Sequence, residues 1–140
     1  MKTQTLKTSL KVLFTASLLF AAQTQAGQYE IDQIEAAANR LDVKTLQHLS
    51  HQMQGYDLAL SQYRLALSAN LTGQAKLANL AIDKAMKHME QLDQESADNA
   101  EYKALLAQIY GYKIALNPVK GVYYGPKAGA KLKEAKALAP

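Results

Sequence analysis

Between Tyr56 and Leu92 the sequence carries two helical patterns of apolar residues, separated by Thr72-Gly73-Gln74. Gly73 supplies backbone freedom for a turn and Thr72 a capping hydroxyl. The two flanking segments, about Tyr56–Leu71 and Ala75–Leu92, therefore fold back on each other as a helical hairpin. In the second, Leu77, Ala78, Ala81, Ile82, Ala85, Met86 and Met89 share one side at about 100° per residue. Asn79, Asp83, Lys87 and Glu90 take the other, so this helix buries a single face. The first confines its polar residues mostly to a narrow strip of Ser61, Arg64 and Ser68. A helix that apolar must be covered from more than one side, so the hairpin requires neighbours.

Those neighbours are legible on both flanks. A short helix is expected from about Glu30 to Arg40, with Ile31, Ile34, Ala38 and Leu41 at helical spacing. Asp42 reads as the N-cap of a second, running to about Gln52 and burying Val43, Leu46, Leu49 and Met53. Gly55 breaks it. After a polar linker, Asp98 and Glu101 have capping-box spacing and open a helix to about Leu116, ended by Asn117-Pro118. Val119–Gly125 is expected to be a loop, and Pro126 the first residue of a last helix to about Leu138. That helix carries the stripe Ala128, Leu132, Ala135, Ala139. No segment alternates as a strand does, so the chain reads as all α, with six helices in antiparallel pairs.

The first 26 residues stand apart. Lys2, Lys7 and Lys11 precede the apolar run Val12–Ala22, and Thr24-Gln25-Ala26 follows. This order of parts is that of a secretory signal peptide cleaved after Ala26. The run is too short to span a bilayer core of ~30 Å as a helix. The expected product is periplasmic or secreted and begins at Gly27, with no membrane span in the mature chain. Removing three lysines brings the formal charge from +4 to +1, which leaves no electrostatic case for nucleic acid. There is no Cys, so helix packing alone must hold the core.

The chemistry-bearing residues are few. No Cys nucleophile, Gly-x-Ser-x-Gly elbow or His-Glu-x-x-His motif occurs, which argues against an enzyme, and no cofactor is implied. His48 and His51 share a helix face and could seed a metal site. A third ligand, such as His88, would have to arrive by folding; the plain alternative is two solvated side chains beside Gln47 and Gln52. Gly121-Val122-Tyr123-Tyr124-Gly125-Pro126-Lys127 does not have P-loop spacing. It reads as an insertion loop held by its own tyrosines, with a peptide-contact role open to it.

Ala78, Ile82 and Ala85 have the spacing small–x3–large–x2–small; Ala128, Leu132 and Ala135 repeat it, and Pro140 follows Ala135 by five. This resembles the second helix of a tetratricopeptide repeat with its closing proline. Tyr102, Leu105 and Ile109 resemble apolar positions of that repeat's first helix. The resemblance covers about Tyr56–Pro140, as degenerate repeats at about 56–92 and 98–140 within a 27–140 domain. It lacks the Trp-Leu-Gly-Tyr signature. A plain helical bundle is the simpler reading of the same patterns.

The resemblance implies a short solenoid of stacked antiparallel hairpins in a divergent tetratricopeptide-like protein of the bacterial cell envelope. It implies a non-catalytic role in protein–protein interaction or assembly, with another protein or peptide as partner. The competing class is a small periplasmic helical carrier of a ligand or metal. First helices of such repeats line the concave groove, which puts Tyr56, Tyr63, Tyr102 and Tyr110 forward as partner-binding residues, with Tyr123 and Tyr124 from the expected loop. Lys103 takes the place where carboxylate-clamp repeats hold a lysine, although their asparagine four residues on is Ala107 here. Ala137-Leu138-Ala139-Pro140 supplies no polar capping helix, so a fragment truncated at its C-terminus is also expected.

Overall fold

The computed structural model describes residues 27–139. The expected signal segment, with its cleavage point at Ala26, lies outside the described residues, as does Pro140. The chain divides into two units between Gln33 and Ile34. In the first, residues 27–33 are helical, and Gln28 Nε2 donates to Asp32 Oδ1 at 2.9 Å. The second unit, from Ile34 on, carries the remaining helices.

That unit is all α: no strand occurs among the described residues. Its helices are α1 (34–39), α2 (Val43–Gln52), α3 (Gly55–Leu71), α4 (Ala75–Glu95), α5 (Ala100–Leu116) and α6 (Gly121–Leu138). A 3-10 turn, Pro118–Lys120, joins the last two. The most extensive packing is within the hairpins α3–α4 and α5–α6; α2 then lies on α3, and α4 on α5. The apolar character of α3 is thus explained, because α2, α4 and α5 all cover it. Ala59, Ala66 and Ala69 of α3 and Ala78, Ile82 and Ala85 of α4 are fully buried, so small side chains let the hairpin close tightly.

Cross-helix pairs fix the directions. Lys113 pairs with Asp83, Tyr110 with Glu90 and Lys103 with Asp93, a descending register that makes α4 and α5 antiparallel. Tyr56 meets Tyr102 and Tyr63 meets Tyr112, an ascending register that makes α3 and α5 parallel. The stacked antiparallel hairpins expected from the pattern are present. No described helix is long and apolar enough to cross a membrane.

Two of the three residues in the polar strip of α3, Ser61 and Ser68, are buried, while Arg64 is part-exposed. Ser61 and Ser68 are almost wholly enclosed, and Ser61 Oγ donates back to the Leu58 carbonyl at 2.8 Å. Such back-bonding lets a short hydroxyl enter a helix interface without an orphaned donor. Among the described residues, no buried side-chain nitrogen or oxygen lacks a partner.

Four expectations are corrected. The helix expected to stop at Leu92 runs to Glu95. Asn99, not Asp98, caps α5: its side chain accepts from the Tyr102 N–H at 3.1 Å. The supposed loop Val119–Gly125 is mostly helix, and Pro126 sits inside α6 rather than at its start. Packing wins over proline's preference here, because continuing the helix backward stacks the Tyr124 ring on Tyr110, with Tyr123 edge-on to Tyr124. Finally, of the stripe Ala128, Leu132, Ala135, Ala139, only Ala135 is buried. The backbone of α6 comes close only to α5 and the 3-10 turn among the described helices, and α4 reaches it through the Lys131–Asp93 pair, so its neighbours do not cover the whole stripe.

The turns carry one strained residue. After α3, Gln74 N–H bonds to the Ala69 carbonyl and Gly73 N–H to that of Asn70, with Gly73 at φ +79°. After α1, the same motif is built by Asp42 to Ala37 and Leu41 to Ala38, with Leu41 at φ +54°. This left-handed position suits glycine, and a Cβ there is penalised. Leu41→Gly is therefore expected to change stability by no more than about 1 kcal/mol, because relief of the left-handed backbone is opposed by glycine's entropic cost and by loss of the covered part of a side chain that is 41% exposed. A larger loss in urea unfolding would show that the leucine side chain, not the backbone strain, decides the balance. Thr72 does cap, but at the end of α3: its hydroxyl donates to the Ser68 carbonyl at 2.8 Å.

Candidate partner-binding face

Parallel α3 and α5 touch through few residues, and tyrosines bridge the gap. Tyr56 stacks on Tyr102 with centroids 5.7 Å apart and planes 14° from parallel. Tyr63 meets Tyr112 edge-on at 6.2 Å and 87°. Offset stacking and edge contacts are the favoured aromatic geometries. The Arg64 guanidinium lies 5.6 Å from the Tyr63 centroid and pairs with Glu35 of α1 at 2.8 Å. Burial, then nearby Glu101 and Asp57, raises the Tyr56 pKa; burial raises that of Tyr63. Both phenols stay neutral donors at physiological pH. Tyr56, Tyr102 and Tyr112 are half-buried while Tyr63 is buried, so the face offers ring edges and hydroxyls rather than a deep cavity.

The other expected site residues fall elsewhere. Tyr110 is buried, and its hydroxyl donates to Glu90 Oε1 at 2.7 Å. Burial, then that bond, pushes its pKa far up. Tyr110 stacks on Tyr124 at 5.6 Å, and Tyr124 meets Tyr123 edge-on at 4.9 Å. The Lys127 ammonium is 4.3 Å from the Tyr123 centroid and donates to its hydroxyl at 2.8 Å. This second cluster fastens the start of α6 to α5, and it leaves Tyr123 exposed.

Lys103 is buried in an ion-pair ring. Its Nζ lies 2.9 Å from Asp93 Oδ1 and 3.0 Å from Glu134 Oε2; Lys131 Nζ lies 2.6 Å from Asp93 Oδ2 and 2.9 Å from Glu134 Oε2. The hydrogen bond to Asp93 leads the causes that raise the Lys103 pKa. The ring ties α4, α5 and α6 together. Lys103 thus holds internal carboxylates and stands apart from the tyrosine face.

Sequence reasoning left Arg64, Glu35 and Tyr112 out of the candidate face. Tyr112 carried a signal, as one of three tyrosines on α5; Glu35 carried none, since its pairing depends on how α1 approaches α3. His48 sits beside Gln52, 3.2 Å between their side-chain nitrogens. Among the described residues no group of three or more His, Cys, Asp or Glu is placed to hold a metal ion. Compared with protein-family models, with curated proteins and with solved structures, the chain matches none.

Proposed function

We propose that this chain is a non-catalytic, exported helical-repeat protein, divergent and tetratricopeptide-like, that binds another protein or peptide in the cell envelope. The observation that supports it is the tyrosine-bridged face of α3 and α5, where two parallel helices leave Tyr56, Tyr102 and Tyr112 half-buried instead of closing into core. Tyrosine suits such a face: it brings a large rigid ring and a polar tip at little entropic cost. Arg64 and Glu35 beside it supply charge for orientation.

Affinity capture from envelope extract, with a metal assay on the same protein, tests the reading. The wild-type chain is expected to retain a discrete partner, and Tyr56→Ala with Tyr102→Ala to weaken capture about tenfold. A thermal melt of the double variant separates lost contact from lost fold. Stoichiometric metal with no protein partner would reverse the assignment in favour of a carrier.

A further inference from the structure

Three tyrosine rings converge on one ammonium. The Lys127 Nζ lies 4.3 Å from the Tyr123 ring centroid, 5.7 Å from that of Tyr110 and 6.0 Å from that of Tyr124. These distances fall within the ~6 Å over which an aromatic quadrupole attracts a cation. The rings come from two helices. Tyr110 of α5 is buried, and Tyr124 of α6 stacks on it with planes 25° apart. Tyr123 stands at 81° to Tyr124 and is 61% exposed, so the group has a buried base and an open side.

The charges around the rings leave one carboxylate facing Lys127. Lys113, 5.7 Å from the Tyr124 centroid, pairs with Asp83. Asp93 is held by Lys103 and Lys131. Glu90 enters no ion pair among the described residues, and its Oε1 accepts from the Tyr110 hydroxyl. The Lys127 pKa is raised, chiefly by its hydrogen bond to the Tyr123 hydroxyl and further by the Glu90 charge. That hydrogen bond, 2.8 Å long, occupies one of the three donors of the ammonium; among the described residues no other acceptor bonds it.

We propose that Tyr110, Tyr123, Tyr124 and Glu90 form a binding site for a small methylated ammonium ion, and that the Lys127 side chain fills it until that ligand displaces it. The site is separate from the tyrosine face of α3 and α5 and does not depend on the protein-binding reading. Two arguments select the ligand class. Rings attract positive charge without requiring N–H donors, so three rings and one phenolic acceptor satisfy a primary ammonium poorly. A methylated ammonium carries its charge on C–H groups, needs no acceptor, and adds apolar contact with the rings. Lys127 is also a displaceable occupant: it is part-exposed, on a flexible four-carbon stem. The start of α6 is consistent with such a site. Gly121, Gly125 and Pro126 are poor helix formers, yet the helix runs through them, and that run is what sets Tyr123 and Tyr124 beside Tyr110.

Calorimetric titration of the full chain tests the proposal, with choline as probe and 3,3-dimethyl-1-butanol as its uncharged counterpart. Choline is expected to bind saturably at one site, and the uncharged compound about tenfold more weakly. Lys127→Ala should tighten choline binding about tenfold by removing the internal competitor. Tyr123→Leu, at an exposed position, and Glu90→Gln, which keeps an acceptor for Tyr110, should each weaken it about fivefold. These two variants leave Lys127 in place, so the test stands even where Lys127→Ala fails to fold; thermal melts report the fold of each. Sedimentation with phosphatidylcholine vesicles that depends on Tyr123 would support the proposal with a lipid headgroup as source, and choline binding without it would support a free ion.

No saturable choline binding to the wild-type chain, equal binding of the uncharged compound, or indifference to Tyr123→Leu would overturn the proposal. Binding that appears only in Lys127→Ala would overturn it as well, and would leave Lys127 as a permanent clamp between α5 and α6.

Discussion

Asp93→Ala is expected to remove about 3 kcal/mol of folding stability, a large part of what a domain of this size holds. The reason is the ring that Asp93 closes. Its two carboxylate oxygens accept from Lys103 and Lys131, and the Asp93 and Lys103 side chains are both nearly enclosed. Removing the carboxylate leaves the Lys103 ammonium buried with Glu134 as its remaining anion. Because the Glu134 and Lys131 side chains reach water, the loss belongs at the low end of the range for a broken buried pair. Replacing both partners, Asp93→Leu with Lys103→Met, is expected to recover most of the loss, since no uncompensated charge remains. Urea midpoints of the single and double variants check this; equal losses would show that the pair itself, not the orphaned cation, carries the energy.

The same ring sets an acid limit. Burial alone would raise the Asp93 pKa, but hydrogen bonds from Lys131 and Lys103 more than reverse this and hold it below its ordinary value. Hydrogen bonds from the same two lysines lower Glu134. A carboxyl depressed by folding contributes stability above its unfolded pKa, about 3.9 for Asp and 4.3 for Glu, and loses it as pH falls through the folded value. Stability is therefore expected to drop below about pH 4, and less steeply in Asp93→Ala.

The helical architecture was legible because its signal is local. Periodicity located α2 to α5, and Gly73 and Asp42 marked turn and cap through backbone chemistry that needs no distant partner. Where the sequence failed, a long-range contact decided. Pro126 reads as a helix start, yet the helix continues backward across it and brings Tyr124 onto Tyr110 of α5. Asp98 and Asn99 are both competent caps, and only the observed geometry selects Asn99. The candidate face divides in the same way. Tyrosines on α3 and α5 were visible as residues, but their pairing is set by the helix crossing. Lys103 was placed at a clamp position by analogy; its actual partners come from α4 and α6 and carry no signature in local spacing.

The repeated pattern offers a direct contrast between motif and environment. Ala78–Ile82–Ala85 and Ala128–Leu132–Ala135 have the same spacing, and a reading by pattern alone gives Ile82 and Leu132 equal weight. The structure does not. Helix α4 is held between α3 and α5, and Ile82 is 0% exposed; α6 packs along α5 and meets α4 through the Lys131–Asp93 pair, and Leu132 is 47% exposed. Ile82→Ala removes buried methyl groups and leaves a cavity that the tightly packed alanines around it cannot close, so a loss of about 3–4 kcal/mol is expected. Leu132→Ala uncovers surface that water already reaches, and its cost should stay below about 1 kcal/mol. Equal losses in urea unfolding would mean that the face of α6 bearing Leu132 is covered in solution. In that case Leu132→Ala should also change the apparent mass at high protein concentration, where a second copy supplies the cover.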